Sequence, residues 1–234
     1  MVVSFSSYEK CISSSFRKNI DLLLGPKINL KTRWIGKNPV ENNLSILVLA
    51  GHADSQGVSG RGTLGEAVAL NGALPMDPNM SDELFWNLKL QKEIVNIGQT
   101  RGLNIDFYDP GIRDIKDPNN VITNWSLGAQ HVSQGGYAIE IHFDGYGVYG
   151  VGSGLIPPIS NDLNTIDEAL ANSFGRFPLF FRGGLGAPRR QIRILEVGKL
   201  EGKLEKNLRN VKTRKETLKL IANRIVDAFL VGLK

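Results

Sequence analysis

From Leu44 onward, short apolar runs closed by glycine alternate with stretches of helical spacing. LSILVLAG (residues 44–51) is a run of branched aliphatics too short for a helix, and it predicts a strand buried on both faces. Ser81 then reads as a helix cap, with Asp82 and Glu83 in the first turn, where negative charge suits the helix dipole. Leu84, Leu88, Gln91, Ile94 and Val95 continue one helical stripe until Gly98 or Gly102. LNIDFY (103–108) is a second strand, cut by Asp109-Pro110. A helix follows from near Trp125 to Gly135-Gly136. In the third strand, YAIEIHF (137–143), alternation sets Ala138, Glu140 and His142 on one face and Tyr137, Ile139, Ile141 and Phe143 on the other. Residues 160–175 have helical spacing through Ile166, Leu170 and Phe174. QIRILEVG (191–198) is the fourth strand. The last helix opens on Thr213-x-x-Glu216, the pattern of a capping box, and buries Leu218, Ile221, Ile225 and Phe229.

Strands alternating with helices predict an α/β fold: a single domain whose mainly parallel, twisted sheet is flanked by helices. The alternation begins only after residue 40. Residues 1–40, broken by Gly25-Pro26 and Asn38-Pro39, form an N-terminal extension of unclear structure ahead of a domain spanning 41–234. A chain of 234 residues fits one such domain, and its composition, 41% hydrophobic and 22% charged, is that of an ordinary globular protein. Cys11 is the single cysteine, so neither an internal disulfide nor a cysteine-rich zinc knuckle is available. No apolar run reaches the roughly 18 residues of a spanning helix, and the start, MVVSFSSYEKCISSSFRK, does not read as a secretory signal.

Charge changes the picture at both ends. The net charge of +5 divides into +5 over residues 1–40, −9 over 41–181 and +9 over 182–234. Basic ends attract polyanions, but the segment KLEGKLEKNLRNVKTRKETLK carries no interleaved aromatic residue, which argues against nucleic acid. Two readings stay open, a basic helix face that is simply solvated and attraction to an anionic cell wall, which salt would screen. The glycine-rich GVSGRGTLGE lacks the Gly-Lys-Ser/Thr of a phosphate loop.

The chemistry concentrates at strand ends, where active sites of parallel sheets lie. His52 follows the first strand, His142 closes the third, and Glu196 closes the fourth, in a chain with 3 histidines. A buried charge needs a partner, a ligated ion or a cleft, because burying it alone costs several kcal/mol. Two histidines and a carboxylate are the ligand set of a catalytic zinc, and a further glutamate commonly acts as base. No HExxH is present, so the ligands must come from separate elements. The third histidine, His131, sits mid-helix and is expected to face solvent. In FRGGLGAPRR, Arg182, Arg189 or Arg190 could pair with a substrate carboxylate.

The order GHADSQGVSG (51–60), ELFWNL (83–88), IEIHFDG (139–145) and RILEVGKLEG (193–202) resembles the zinc-dependent N-acetylmuramoyl-L-alanine amidases over about residues 44–231. The resemblance implies Zn2+ held by His52, Glu83 and His142, with Glu196 as the catalytic base, and peptidoglycan as substrate. With that substrate, the carboxylate expected to pair with Arg182 and Arg189 is that of a stem peptide, a reading that rests on the bidentate chemistry of arginine. Glu66, fourteen residues after His52, is the rival for Glu83; Gly72 and Pro75 follow it within three turns, whereas a long helix follows Glu83. Asp144 stands where the family has asparagine, and Lys199 where it has an aromatic residue. With no evident signal, such an enzyme would be made in the cytoplasm and reach the wall through a membrane-perforating partner, as phage lysis enzymes do. Two other readings are a metal-dependent carboxypeptidase or deacylase acting on a soluble acyl-peptide, and a catalytically inactive wall-binding module.

Overall fold

The computed structural model describes residues 20–28, 34–57, 61–160 and 163–234; Cys11 and most of the N-terminal extension lie outside the described residues. After a small antiparallel pair, β1 (Ile20–Asp21) and β2 (Gly25–Pro26), the chain builds β3 (Ile46–Ala50), β4 (Ile105–Tyr108), β5 (Tyr137–Asp144), β6 (Gly154–Ile156) and β7 (Arg193–Lys199). The five longer strands form one sheet in the order β4-β3-β5-β7-β6. β3, β4, β5 and β7 are parallel, and β6 closes one edge antiparallel to β7. These are the four strands expected from the sequence plus β6, whose three residues are too few to show a period.

The helices are α1 (Gly65–Ala69), α2 (Asp82–Thr100), α3 (Asn124–Ser133), α4 (Thr165–Phe174), α5 (Gly186–Arg189), α6 (Gly202–Arg209) and α7 (Arg214–Gly232). One face of the sheet is covered by α2, α4 and α7: Trp86, Leu90 and Ile94, then Ile166, Leu170 and Phe174, then Ile221, Ile225 and Phe229 pack against Val48, Ile139, Ile141 and Leu195. The other face presents Leu49, Ala138, Ile156 and Ile194 to Trp125, Phe177 and Ala187. The described part of the first forty residues joins this body, since Leu24, Ile28 and Trp34 are buried and the Trp34 indole donates to the Phe177 carbonyl at 2.8 Å.

Side-chain caps hold the starts of α2, α3 and α4. Ser81 Oγ accepts from Leu84 N (3.2 Å), and Asn164 and Asp167 form a reciprocal capping box on α4. Thr213 does not complete the box expected with Glu216: its backbone is already helical (φ −107°, ψ −18°) rather than extended, so its oxygen accepts from no N–H of the first turn, and its hydroxyl donates to the Asn207 carbonyl (2.8 Å). At the sheet end far from the strand carboxyl termini, Asp167 receives the Tyr137 hydroxyl and the Arg193 guanidinium, both at 2.9 Å on one oxygen. That buried triad ties α4 to β5 and β7 with its charges paired.

Helices α1 and α6 exchange carboxylates at their starts. Glu205 accepts from Ala67 N with both oxygens (3.2 and 3.0 Å), and Glu66 accepts from Gly202 N (3.1 Å). Burial drives the Glu205 carboxyl up to about 7; the Ala67 N–H and Arg209 oppose the rise, while Asp82 and Glu66 add to it. A folded-state value above the unfolded one means the native chain holds the extra proton between about pH 4.5 and 7, so stability falls as pH rises through that window. Glu205→Gln removes that loss and keeps one acceptor for Ala67 N. The variant should gain about 2 kcal/mol on the wild type between pH 5 and pH 8 in urea unfolding. An equal difference at both pH values would refute the assignment.

Candidate metal centre

The turn after β3 is pinned from three directions. Gly51 N donates to the Ile141 carbonyl (2.9 Å), Asn87 of α2 donates to the Gly51 carbonyl (3.1 Å), and Asn124 of α3 donates to the Ala50 carbonyl (2.6 Å). Those contacts hold His52 at φ +65°, a left-handed conformation a non-glycine residue adopts only when its surroundings fix it. The Gln56 side chain closes the turn by donating to the His52 carbonyl at 3.0 Å. Glu83 lies in the first turn of α2, oriented by Thr63 N, which donates to Oε2 at 2.8 Å. His142 comes from β5, and its ring packs so tightly on Gly51 that a Cβ there would lie 2.3 Å from the imidazole.

The three side chains converge. Glu83 Oε1 is 3.3 Å from His52 Nε2 and 3.1 Å from His142 Nδ1, and the two rings meet edge to face with centroids 4.7 Å apart. One donor atom from each residue lies within 4.8 Å of the others. Separations of that size suit donors sharing one small cation, and two imidazoles with a carboxylate suit zinc. Burial alone would raise the Glu83 carboxyl, but the charges and hydrogen bonds of His52 and His142 outweigh it and hold it below the usual carboxylate range. Burial would lower His142, but its hydrogen bonds to Glu140 and Glu83 outweigh that and raise it well above the ordinary histidine value.

Glu196 is the in-register neighbour of His142 across β5 and β7. Its Oε2 is buried with no hydrogen-bond partner among the described residues. Burial, reinforced by the charge of Asp144, pushes this carboxyl well above its usual range. A cavity of about 500 Å³ is bordered by His52, Glu83, His142 and Glu196 and by Tyr146 and Tyr149 on the following loop. Asp144 builds that loop by accepting from Gly145 N (2.8 Å), Gly152 N (2.7 Å) and Val151 N. A second cavity of about 450 Å³ shares His52 and His142 and continues past Glu140, Asp54 and Trp125.

The other sequence candidates fall elsewhere. Glu66 starts a helix of only five residues and is spent on Gly202 N, outside the donor group. Arg182 donates to the carbonyls of Pro158 (2.5 Å) and Ser160 (3.3 Å), and Arg189 to that of Gly183 (2.5 Å). Neither borders the two cavities, although Gly184–Ala187 between them lines the second. Arg190 lies over the Trp125 ring and bonds Asn119. His131 is not the solvent-facing residue expected: its Nε2 lies 3.0 Å from the Ser45 carbonyl, half-buried at the foot of β3. Reading the sequence assigned no role to Asn87, Asn124 or Glu140. Asn87 carried a signal as part of the ELFWNL motif, and Glu140 as an acidic residue in phase with His142.

The fold is that of the N-acetylmuramoyl-L-alanine amidases. The catalytic domain of the CD27L endolysin targeting Clostridia difficile superposes with a TM-score of 0.50 at 19% identity, over 80% of this chain and 97% of that one. AmiC2 of Nostoc punctiforme matches with a TM-score of 0.50 at 15% identity, over 82% of this chain and 97% of its own. Ami1 from Mycobacterium smegmatis matches with a TM-score of 0.50 at 16% identity, over 83% and 99% respectively. No protein-family profile and no curated protein sequence matches the chain.

Proposed function

We propose that this protein is a zinc-dependent N-acetylmuramoyl-L-alanine amidase that hydrolyses the amide between N-acetylmuramic acid and L-alanine in peptidoglycan. The observation that carries the reading is the convergence of His52, Glu83 and His142 from three separate elements, with Glu196 bordering the same cavity, on an amidase fold. Zinc held there supplies a Lewis acid that polarises a carbonyl and brings the pKa of water toward about 7. The chain's own residues do the rest. Glu196, close to the donor group but outside it, takes a proton from the attacking water and passes it to the departing amide nitrogen. Its buried position makes it a stronger base than an exposed carboxylate and shields the transferred proton from bulk water.

Arg182 and Arg189 would meet carboxylates of the stem peptide, a reading supported by their place on the loop that lines the second cavity. The substrate lies beyond the cytoplasmic membrane, and no helix of the described residues is long and apolar enough to cross one. We read the chain as a wall-lysing enzyme that reaches its substrate through a perforating partner, its basic ends adding affinity for the anionic wall.

Purified sacculi test the reaction. Cleavage at the proposed bond exposes the amino group of L-alanine, which dinitrophenylation identifies, and creates no new reducing sugar ends. Elemental analysis of the same preparations should give about one zinc per chain, lost in Glu83→Ala and retained in Glu66→Ala. New D-alanine release, or the absence of zinc from the wild type, would overturn the assignment.

A further inference from the structure

Building on the metal reading above, we infer that Glu140 is a positioning residue for His142, fixing which ring nitrogen faces the metal. The two nitrogens of His142 look at two different carboxylates. Nδ1 lies 3.1 Å from Glu83 Oε1, within the donor group, and Nε2 lies 3.4 Å from Glu140 Oε2. Glu140 stands two residues before His142 on the same face of β5, so the strand holds the two side chains side by side.

A carboxylate can only accept from the imidazole. With a cation in the donor group, Glu140 therefore keeps the ring proton on Nε2, leaves the Nδ1 lone pair for the metal that Glu83 would share, and makes the imidazole a stronger donor. Nothing in an ordinary strand calls for this residue. Glu140 is 4% exposed, on a strand whose neighbours are aliphatic, and burying a carboxylate there is costly unless it serves a charged or hydrogen-bonding partner. The partner that the structure gives it is His142. Glu140 also borders the second cavity, whereas Glu196 borders the first, so the two carboxylates flanking His142 look into different spaces and have different tasks.

The test is zinc affinity, measured by competition with a chromophoric chelator on the full chain, together with thermal unfolding of the metal-stripped protein. Glu140→Ala should weaken zinc binding about 10- to 100-fold without lowering the melting temperature of the stripped protein. Glu140→Gln still offers an oxygen to Nε2–H, so it should fold and lose less affinity than Glu140→Ala. Zinc affinity within twofold of wild type in Glu140→Ala would overturn the inference and leave the metal reading intact. Losses of affinity matched by equal losses of stripped-protein stability in both variants would also overturn it, because they would mark a packing role. A wild type that binds no zinc would overturn the metal reading and this inference together.

Discussion

Glu196→Gln should abolish turnover and leave the zinc content unchanged. Glutamine has the shape of glutamate and can still lie between β5 and β6, where Glu196 pairs in register with His142 on one side and Gly154 on the other. Oε2 of Glu196 has no hydrogen-bond partner among the described residues, so exchanging an oxygen for an amide nitrogen breaks no contact there. The substitution also removes a buried charge, which should leave the fold intact or firmer. An amide cannot accept the proton of an attacking water, so the step assigned to this side chain is lost. General acid–base groups contribute typically about 10²–10⁴-fold, and the release of L-alanine amino groups from sacculi should fall by that factor. Zinc per chain, measured on the same sample, should match the wild type. A variant retaining a tenth of the wild-type rate would move the proton transfer to another residue, and one that lost its zinc would move Glu196 into the ligand set.

His52, His142 and Glu196 were legible in the sequence for a simple reason. Each ends an apolar run whose burial makes an ionisable residue conspicuous, and the parallel sheet then brings all three run ends to one edge. Glu83 needed the family pattern, because an acidic residue in a helix's first turn is ordinarily explained by the dipole alone. Glu140 was hidden by the alternation that made β5 readable, since polar residues at every second position are what a half-exposed strand shows. α6 was hidden differently: Leu204 and Leu208, its buried apolar residues, are submerged in lysines and arginines that read as a solvated segment. Of the asparagines that pin the His52 turn, Asn87 showed only as a letter of the ELFWNL motif and Asn124 left no trace, because one buried amide donating to a backbone carbonyl has no sequence period. What the chain writes plainly is burial; what it leaves unwritten is the cross-element hydrogen bonding that aims the buried groups.

Gly51→Ala should destroy the metal centre with a single methyl group. The glycine reads in sequence as a strand terminator, yet its position is set by His142: a Cβ on residue 51 would lie 2.3 Å from both Cε1 and Nε2 of that imidazole and 2.6 Å from Nδ1. Real side chains do not approach so closely, so either the ring swings away or the turn shifts. Both responses break the group. The ring cannot move without leaving Glu83 Oε1 and Glu140, and the turn cannot move without releasing the Ile141, Asn87 and Asn124 bonds that hold His52 in its left-handed conformation. Overpacking of this kind costs about 1–3 kcal/mol, which a chain with this core should survive, so the protein should fold and the loss should be local. Gly183→Ala is the matched control, because no atom lies within 4 Å of a Cβ built there. We expect Gly51→Ala to purify without zinc, to regain none at micromolar metal and to release no L-alanine amino groups, while Gly183→Ala keeps both metal and activity. Wild-type zinc in Gly51→Ala would show that His142 is not held against this turn when the metal binds. The three-residue donor group would then have to be rebuilt without it.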